Sequence, residues 1–263
     1  MAAFTIFANA LSAQVRFDVS GQIEGIGRQF VVRVGLHNRE DTPAFDIRVD
    51  GELAGEFDRV VLDASLPGRG SSSVTLRFPG HLPRPGLHAL ILRVDFHSGE
   101  PPAAQGSTPL SQLAFLLFPI GGQPTAALGL EVEPAKMGVR GTSFVRVQAL
   151  DGAAHRVELR VYTALGLAAY PDRYEAQLPP GGEVRIPVHL YRSGAPPGTR
   201  HGFLVEARVL DEALERTTVA AGMAEVGAEP TITRRLQWPL GSLAAACVIA
   251  ALLLEGRRAR GDV

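Results

Sequence analysis

The sequence predicts an all-β body of two tandem β-sandwiches, followed by one C-terminal transmembrane helix. Three observations support this fold class. Short runs of alternating apolar and polar residues recur between residues 14 and 228, Gly- and Pro-rich segments separate them, and an uncharged apolar run stands at 238–254. Residues 14–228 contain no stretch with the sustained 3.6-residue period of an amphipathic helix.

Composition excludes several classes of function. The 263 residues carry 26 Lys+Arg against 27 Asp+Glu, a net charge of -1, and 46% of them are hydrophobic. A neutral chain has no field that attracts nucleic acid, and this apolar fraction is too high for a disordered chain. The single Cys excludes an internal disulfide and a zinc site built on several thiolates.

The first half of the body contains about six or seven strand-like runs, the number that one sandwich needs. Each run offers one apolar face, because its apolar residues alternate with polar ones. The predicted core positions are Phe17, Val19, Phe30, Val32, Val34, Leu36, Phe45, Ile47, Val49, Val74, Leu76, Phe78, Leu90, Leu92, Val94 and Phe96, with a further run at 113–118.

The second half repeats this plan after a Gly-Gly-Gln-Pro break at 121–124. Matching runs stand about 112 residues apart, which predicts an internal duplication. Pro-Gly dipeptides precede corresponding strands in both halves, at Pro85-Gly86 and again at Pro197-Gly198. The second set of predicted core positions is Leu128, Leu130, Val132, Val145, Val147, Val157, Leu159, Val161, Val184, Ile186, Val188, Leu190, Phe203, Val205, Ala207 and Val209.

The order VRVGLHNREDTPAFDIRV, LPGRGSSSVTLRF and RPGLHALILRVDF resembles the bacterial immunoglobulin-like modules called CARDB, and similar sandwich modules of bacterial α-galactosidases. Asn38 holds the turn position of that pattern, and Asp151-Gly152 replaces it in the second copy. The resemblance covers residues 14–228. It implies seven-stranded immunoglobulin-like sandwiches in an exported, often envelope-anchored protein, without catalytic residues.

The N-terminal segment MAAFTIFANALSA is apolar and ends in small residues, with Ala8-Asn9-Ala10 fitting an A-x-A cleavage pattern. We expect a signal peptide at 1–13. The segment lacks a positively charged start, so two alternatives stay open: a start codon set too late, or a lead-in to the first strand.

The uncharged run at 238–254 is roughly 26 Å long as a helix, slightly under a bilayer core of about 30 Å. It is apolar on every side, whereas a core helix of a soluble domain has a polar face. Arginines flank both ends, with more of them after the run, which favours a cytoplasmic tail. The predicted anchor residues are Trp238, Leu243, Val248, Ile249, Leu252, Leu253, Leu254, Arg257 and Arg258.

The predicted domains are therefore a signal peptide at 1–13, a first sandwich at 14–120, a linker at 121–125 and a second sandwich at 126–228. A juxtamembrane linker at 229–235, a transmembrane helix at 236–255 and a cytoplasmic tail at 256–263 complete the chain.

Motifs that carry chemistry are absent from the sequence. The seven His have no metal-ligand spacing, and His88 and His97 point to opposite faces of one predicted strand. No nucleotide-binding glycine motif and no G-x-S-x-G elbow occur. We therefore expect no enzyme activity, no catalytic residue, no cofactor and no metal.

Charged residues alternate with core positions on the predicted strands. Strand parity places Asp46 and Arg48 on a solvent face, where cross-strand pairing is the ordinary role, although Asp46 and Asp50 could also form an acid/base pair or hold calcium. The arginines at alternating positions predict solvated sheet faces: Arg33, Arg48, Arg93, Arg156, Arg160, Arg185 and Arg208.

Two features remain as candidate binding sites. Tyr162, Tyr170 and Tyr174 follow the strand at 157–161 and could form an aromatic surface for a sugar ring or a partner, or close the end of the sandwich. The segment at 101–109 is either an exposed binding loop or an idle connector.

These expectations favour a non-enzymatic, membrane-anchored envelope protein with a periplasmic or extracellular body. Its two modules would serve protein–protein interaction or scaffolding of a membrane complex, with an envelope membrane protein as the partner. The alternative is a carbohydrate-binding or adhesive surface module that binds a glycan.

Overall fold

The computed structural model describes residues 16–25, 29–79, 84–99, 109–121, 127–210 and 214–227, and the backbone of 4–7. Every regular element in these residues is a β-strand, so the all-β prediction is confirmed. The described residues belong to one compact unit, Met1–Gly227. Their sheets are compatible with immunoglobulin-like sandwiches.

Eight strands form the first pair of sheets. The first sheet has the order β2-β3-β6, and the facing sheet has β1-β8-β7-β4-β5. The strands are β1 (Phe4–Phe7), β2 (Phe17–Gly25), β3 (Gln29–Asn38), β4 (Ala44–Leu53), β5 (Glu56–Val61), β6 (Ser71–Pro79), β7 (Gly86–Ser98) and β8 (Leu110–Ile120).

Nine strands form the second pair of sheets. One sheet has the order β13-β15-β11-β9, and the other runs β17-β16-β12-β14, with β10 added in parallel to β17. The strands are β9 (Leu128–Val132), β10 (Ala135–Met137), β11 (Arg140–Ala149), β12 (His155–Thr163), β13 (Leu167–Ala169), β14 (Arg173–Leu178), β15 (Glu183–Arg192), β16 (Arg200–Val209) and β17 (Glu215–Val226).

Each pair of sheets encloses its own hydrophobic core. In the first core, the rings of Phe17 and Phe96 meet edge to face with centroids 4.8 Å apart. In the second, Val147, Leu159 and Phe203 are completely buried. Apart from Phe45 and the odd-numbered residues of the run at 113–118, all the predicted core positions lie in one of the two cores or pack against it.

Strand order matches between the two halves. β3, β4, β6 and β7 hold the places in the first pair of sheets that β11, β12, β15 and β16 hold in the second. These are the strands that the 112-residue spacing aligns, so the topology agrees with a duplication.

A bulge in β4 places one predicted core residue on the opposite face of the strand. Asp46 has a φ of 51°, and the register of β4 against β7 shifts between Phe45 and Arg48. The extra residue places Phe45 on the face opposite Ile47, where its ring stacks on His97 with centroids 5.5 Å apart. The prediction that Phe45 shares the core face of Ile47 and Val49 is therefore wrong.

A buried amide joins the two facing sheets in the first half. Gln112 on β8 donates from Nε2 to the carbonyl of Phe17 at 2.7 Å and accepts the Phe17 N–H at 2.9 Å. The side chain thus takes the place of a neighbouring strand at the start of β2.

The predicted ends of the chain are only partly within the described residues. The backbone of Phe4–Phe7 forms β1, antiparallel to β8, so this segment adds a strand; whether it is cleaved in the cell stays a prediction. Within the described residues, no helix is long and apolar enough to span a bilayer. The predicted anchor at 236–255, with Trp238, Leu243, Val248, Ile249, Leu252, Leu253, Leu254, Arg257 and Arg258, lies outside them, as does the 101–108 part of the predicted loop.

Candidate functional site

An apolar contact joins the two sandwiches. Strands β7 and β8 carry apolar residues on both faces; one face lies in the first core, and the other packs against β12 and β16 of the second sandwich. The buried residues of this contact are Ala89, Ile91, Leu113, Phe115, Ala164 and Leu204. The two sandwiches therefore share a third, smaller core, which we call the junction.

Backbone pairing reinforces the junction. Gly86 and Leu87 at the start of β7 pair in parallel with Glu215 and Arg216 at the start of β17. The N–H of Glu215 also donates to the carbonyl of Pro85 at 2.8 Å. A Cβ added at Gly86, whose φ is 142°, would lie 2.0 Å from the Glu215 carbonyl oxygen, so this approach requires glycine.

Polar groups meet beside the apolar contact. Arg160 on β12 forms a salt bridge with Glu52 on β4, across the two sandwiches. The Tyr162 hydroxyl donates to Glu206 at 2.9 Å and lies 3.5 Å from Glu52. Burial raises the pKa of Glu206 to about 7, although Arg208, the Tyr162 hydrogen bond and Arg160 act in the opposite direction.

A cleft opens at the edge of the junction. Its cavity of about 220 Å³ has the volume of roughly seven water molecules, enough for one bulky side chain. Its walls are both apolar and charged: Asp50, Gly51, Glu52, Phe57, Ile91, Arg93, Leu113, Val161, Tyr162 and Thr163. Phe57 on β5 is 53% exposed beside this cavity, a high value for a large aromatic side chain.

The arginine cluster lies next to the cleft, on the outer face of β4, β5 and β7. It consists of Arg48, Arg59 and Arg93 around Asp50 and Asp95. Asp50 accepts from Arg59 Nε at 2.7 Å and from Arg93 at 2.6 Å, and Asp95 accepts from Arg48. Burial alone would raise the pKa of Asp50, but Arg59, Arg93 and Arg48 together hold it below its ordinary value.

Exposure within the arginine cluster is unequal. The two carboxylate side chains are only 5% and 8% exposed, whereas the three arginine side chains are between 34% and 49% exposed. The salt bridge between Arg48 on β4 and Asp95 on β7 confirms the predicted cross-strand pairing of Arg48. Asp50 on β4 likewise pairs across the strands with Arg93 on β7. The surface presents guanidinium groups with an excess of one positive charge over the two carboxylates.

Two predicted surface arginines are not solvated. The side chain of Arg160 is 14% exposed, and that of Arg208 is 19% exposed and bonded to Glu215 at 2.7 Å. Both lie on the sheet that faces the first sandwich. The prediction of a solvated face is wrong for these two residues, because the other sandwich covers it.

The three tyrosines do not form one surface. Tyr162 lies in β12 and points into the junction, while Tyr174 lies in β14, pairs with Leu159 and packs against the second core. Tyr170 is 75% exposed in the turn before β14. The structure therefore places Tyr162 on the opposite face of the sheet from Tyr174, whereas the Tyr170 N–H and the Tyr174 hydroxyl both contact the backbone of His189. Any binding role of Tyr162, Tyr170 and Tyr174 stays a prediction.

Histidines are scattered over the described part of the chain. His88 is buried with Nε2 2.9 Å from the carbonyl oxygen of Arg84, and His97 lies on the opposite face of β7. Among the described residues, no three His, Cys, Asp or Glu side chains form a group that could hold a metal ion. Asp46 is exposed at the bulge, while Asp50 is buried among arginines, so the structure does not bring them together as an acid/base pair.

The cleft and the junction are features that the sequence reasoning missed. One signal for them is present: the runs ALILRV and LAFLLF in β7 and β8 are apolar at both parities, the pattern of a strand covered on both faces. A second signal is Glu206, a carboxylate inside the apolar strand FLVEARV.

No protein-family model and no curated protein matches the chain. Among solved structures, red sea bream transglutaminase aligns over 81% of this chain and 31% of its own, with 14% identity and a TM-score of 0.29. Trypsin-activated alpha-2-macroglobulin from Escherichia coli aligns over 81% of this chain and 18% of its own, with 10% identity and a TM-score of 0.31. A Salmonella alpha-2-macroglobulin mutant aligns over 80% of this chain and 16% of its own, with 11% identity and a TM-score of 0.30. The chain spans less than a third of each structure, and at these TM-scores the likeness supports no conclusion about function.

Proposed function

We propose that the chain is a non-enzymatic, membrane-anchored envelope protein. In this proposal, two tandem immunoglobulin-like sandwiches of the CARDB type stand outside the cytoplasm, and a helix at 236–255 holds them at the bilayer. Their function is to present one continuous surface to an envelope membrane protein and so to scaffold a membrane complex.

The junction is the observation that carries this proposal. An apolar contact, a strand pairing and the Glu52–Arg160 salt bridge join the sandwiches at the same place. Two modules fixed in this way keep a surface that spans both of them in one geometry, which lowers the entropy lost on binding a partner.

The polar groups also favour a binding role over catalysis. Asp50 and Asp95 each form salt bridges with arginines, and the Tyr162 hydroxyl donates a hydrogen bond to Glu206. A carboxylate held in this way serves structure, whereas a general base must be free to accept a proton from a substrate.

Membrane fractionation tests the anchoring half of the proposal. We expect the full chain in the membrane pellet and a chain without residues 236–263 in the supernatant. A truncated chain that stays in the pellet after a high-salt wash contradicts the predicted helix as the anchor.

Co-purification after cross-linking in intact cells tests the scaffolding half. We expect the full chain, solubilised in mild detergent, to carry a stoichiometric envelope membrane protein. The comparison is with a Gly86→Ala chain, in which the junction is disturbed but the anchor is intact. This variant should carry less of the partner protein. Recovery of the full chain alone from cross-linked cells contradicts a scaffolding function.

A further inference from the structure

We propose that the arginine cluster and the adjoining cleft form one binding site for an acidic peptide segment of a partner protein. A carboxylate of that segment lies over the guanidinium groups, and a neighbouring apolar side chain enters the cavity beside Phe57. This proposal rests on the proposed function, because it names the chemistry of the partner.

The charge arrangement selects an anionic group. Three arginines surround two carboxylates, and those carboxylates lie beneath the surface while the guanidinium groups reach solvent. Each guanidinium has five N–H donors in a planar fork, more than its contacts with Asp50 and Asp95 use. A partner carboxylate can therefore accept two parallel hydrogen bonds here without displacing either aspartate.

The neighbouring cleft selects an apolar side chain next to that carboxylate. Arg93 belongs to the cluster and also lines the cavity of about 220 Å³, so the two parts are contiguous. Phe57, Ile91 and Leu113 supply apolar wall, and the Arg59 guanidinium carbon lies 5.3 Å from the centre of the Phe57 ring. An exposed aromatic residue and arginine beside a side-chain-sized pocket are typical of an interaction hot spot.

The small charge excess favours a peptide over a lipid surface. Binding to anionic lipid generally uses clusters of about four to eight Lys or Arg. The arginine cluster has three, and two buried aspartates neutralise most of their charge. A single carboxylate matches the remaining charge, whereas a membrane surface does not.

A peptide array on the full chain in mild detergent tests this inference. The array holds blocked hexapeptides that pair one Asp or Glu with each apolar residue, and a twin array replaces the acid with Asn or Gln. We expect binding to a subset of acidic peptides and at least roughly tenfold weaker binding to their amide twins.

Titration of the tightest acidic peptide against variants locates the site. Arg59→Gln leaves Asp50 with two arginines, and Phe57→Ser removes the cavity's aromatic wall; each is expected to weaken binding roughly tenfold. Arg59→Lys keeps the charge but loses the planar fork of donors, so it is expected to bind more tightly than Arg59→Gln and more weakly than the natural chain. The matched control is Arg146→Gln on β11, whose side chain is 45% exposed and paired with Glu131 and Glu183; we expect no change.

Several results would overturn the inference. These are equal binding of the amide twins, no binding anywhere on the array, and affinity that survives both Arg59→Gln and Phe57→Ser in folded protein. Arg59-dependent binding of short-chain phosphatidylserine without any acidic peptide would assign the site to lipid instead. The assay uses solubilised protein, so a failure of membrane anchoring leaves its outcome unaffected.

Discussion

Equivalent sheets of the two sandwiches place arginines at corresponding positions, yet these residues have different environments. In the first sandwich, Arg48 and Arg93 form salt bridges with Asp95 and Asp50, and the arginine side chains reach solvent. In the second, Arg160 and Arg208 are covered and bind Glu52 and Glu215. The comparison teaches that alternation along a strand identifies the outer face, whereas the packing of one sandwich on the other decides whether that face is solvated or buried.

The two Pro-Gly turns offer the largest test of this comparison. Gly86 and Gly198 both have positive φ, so alanine is strained at either, but only at Gly86 would the added Cβ also clash with the backbone of β17, at Glu215. We expect Gly86→Ala to lower the free energy of unfolding by about 4 kcal/mol and Gly198→Ala by about 1 kcal/mol. Urea unfolding of the two variants measures the difference, and equal losses would show that the junction contributes no stability.

Glu206 makes the junction sensitive to pH. Its folded pKa of about 7 lies above the ordinary value of 4.5, so its contribution to stability is complete below about pH 4.5 and is lost as pH rises through 7. Each pKa unit corresponds to about 1.4 kcal/mol, so the carboxyl costs roughly 3 kcal/mol at pH 8.

We therefore expect Glu206→Gln to be more stable than the natural chain by roughly 3 kcal/mol at pH 8 and equally stable at pH 4. Thermal unfolding across this range measures the effect. Glu175→Gln, at an exposed carboxylate on β14, is the control for the substitution itself. A constant difference between Glu206→Gln and the natural chain at all pH values would contradict a raised pKa.

Asn38 and Asp151 make corresponding turns with different burial. Each accepts the N–H two residues later through Oδ1, at 3.1 Å in both cases. Asn38 is fully buried and also donates to the carbonyls of Thr42 and Pro67, whereas Asp151 is partly exposed and binds His155 and Arg216.

We expect Asn38→Ala to cost about 2 kcal/mol, because it leaves buried backbone groups without partners, and Asp151→Ala about 1 kcal/mol. Denaturant titration of both variants provides the measurement. A larger loss at Asp151 would reverse our assignment of the first turn as the more constrained one.

Tyr170 gives the smallest expected effect. Because its side chain projects into solvent from a turn of the second sandwich, Tyr170→Ala should change the free energy of unfolding by less than about 0.5 kcal/mol. A glycan array separates the two functions: loss of a bound polysaccharide in this variant would favour the carbohydrate-binding alternative over our proposal.

The sequence predicted the strands that have one clean apolar face, such as β3 and β15. It did not predict β5 and β17, because EFDRVV alternates only partly and ERTTVAAGMAEV relies on small residues. These strands are held mainly by their neighbours, so their own side chains carry a weak signal. The sequence also did not predict that Phe45 lies on the face opposite Ile47, because this placement depends on the left-handed backbone conformation of Asp46.

The candidate site was predictable only in its parts. Cross-strand pairing by Arg48 follows from parity in one strand, but Glu52 and Arg160 come from different halves of the chain. Their meeting depends on how the sandwiches pack, which no local pattern encodes. The same reason explains why Tyr162 and Tyr174, close in sequence, lie on opposite faces of one sheet.

Gln112 affects whether copies of this protein can pair through the edge of β2. A row of open strand-edge donors and acceptors invites neighbouring chains to polymerise through their backbones. At Phe17 both backbone groups are already taken by one carboxamide, so an incoming chain finds no hydrogen bond to make there. A single side chain thus blocks assembly at that point while it ties the two layers to each other.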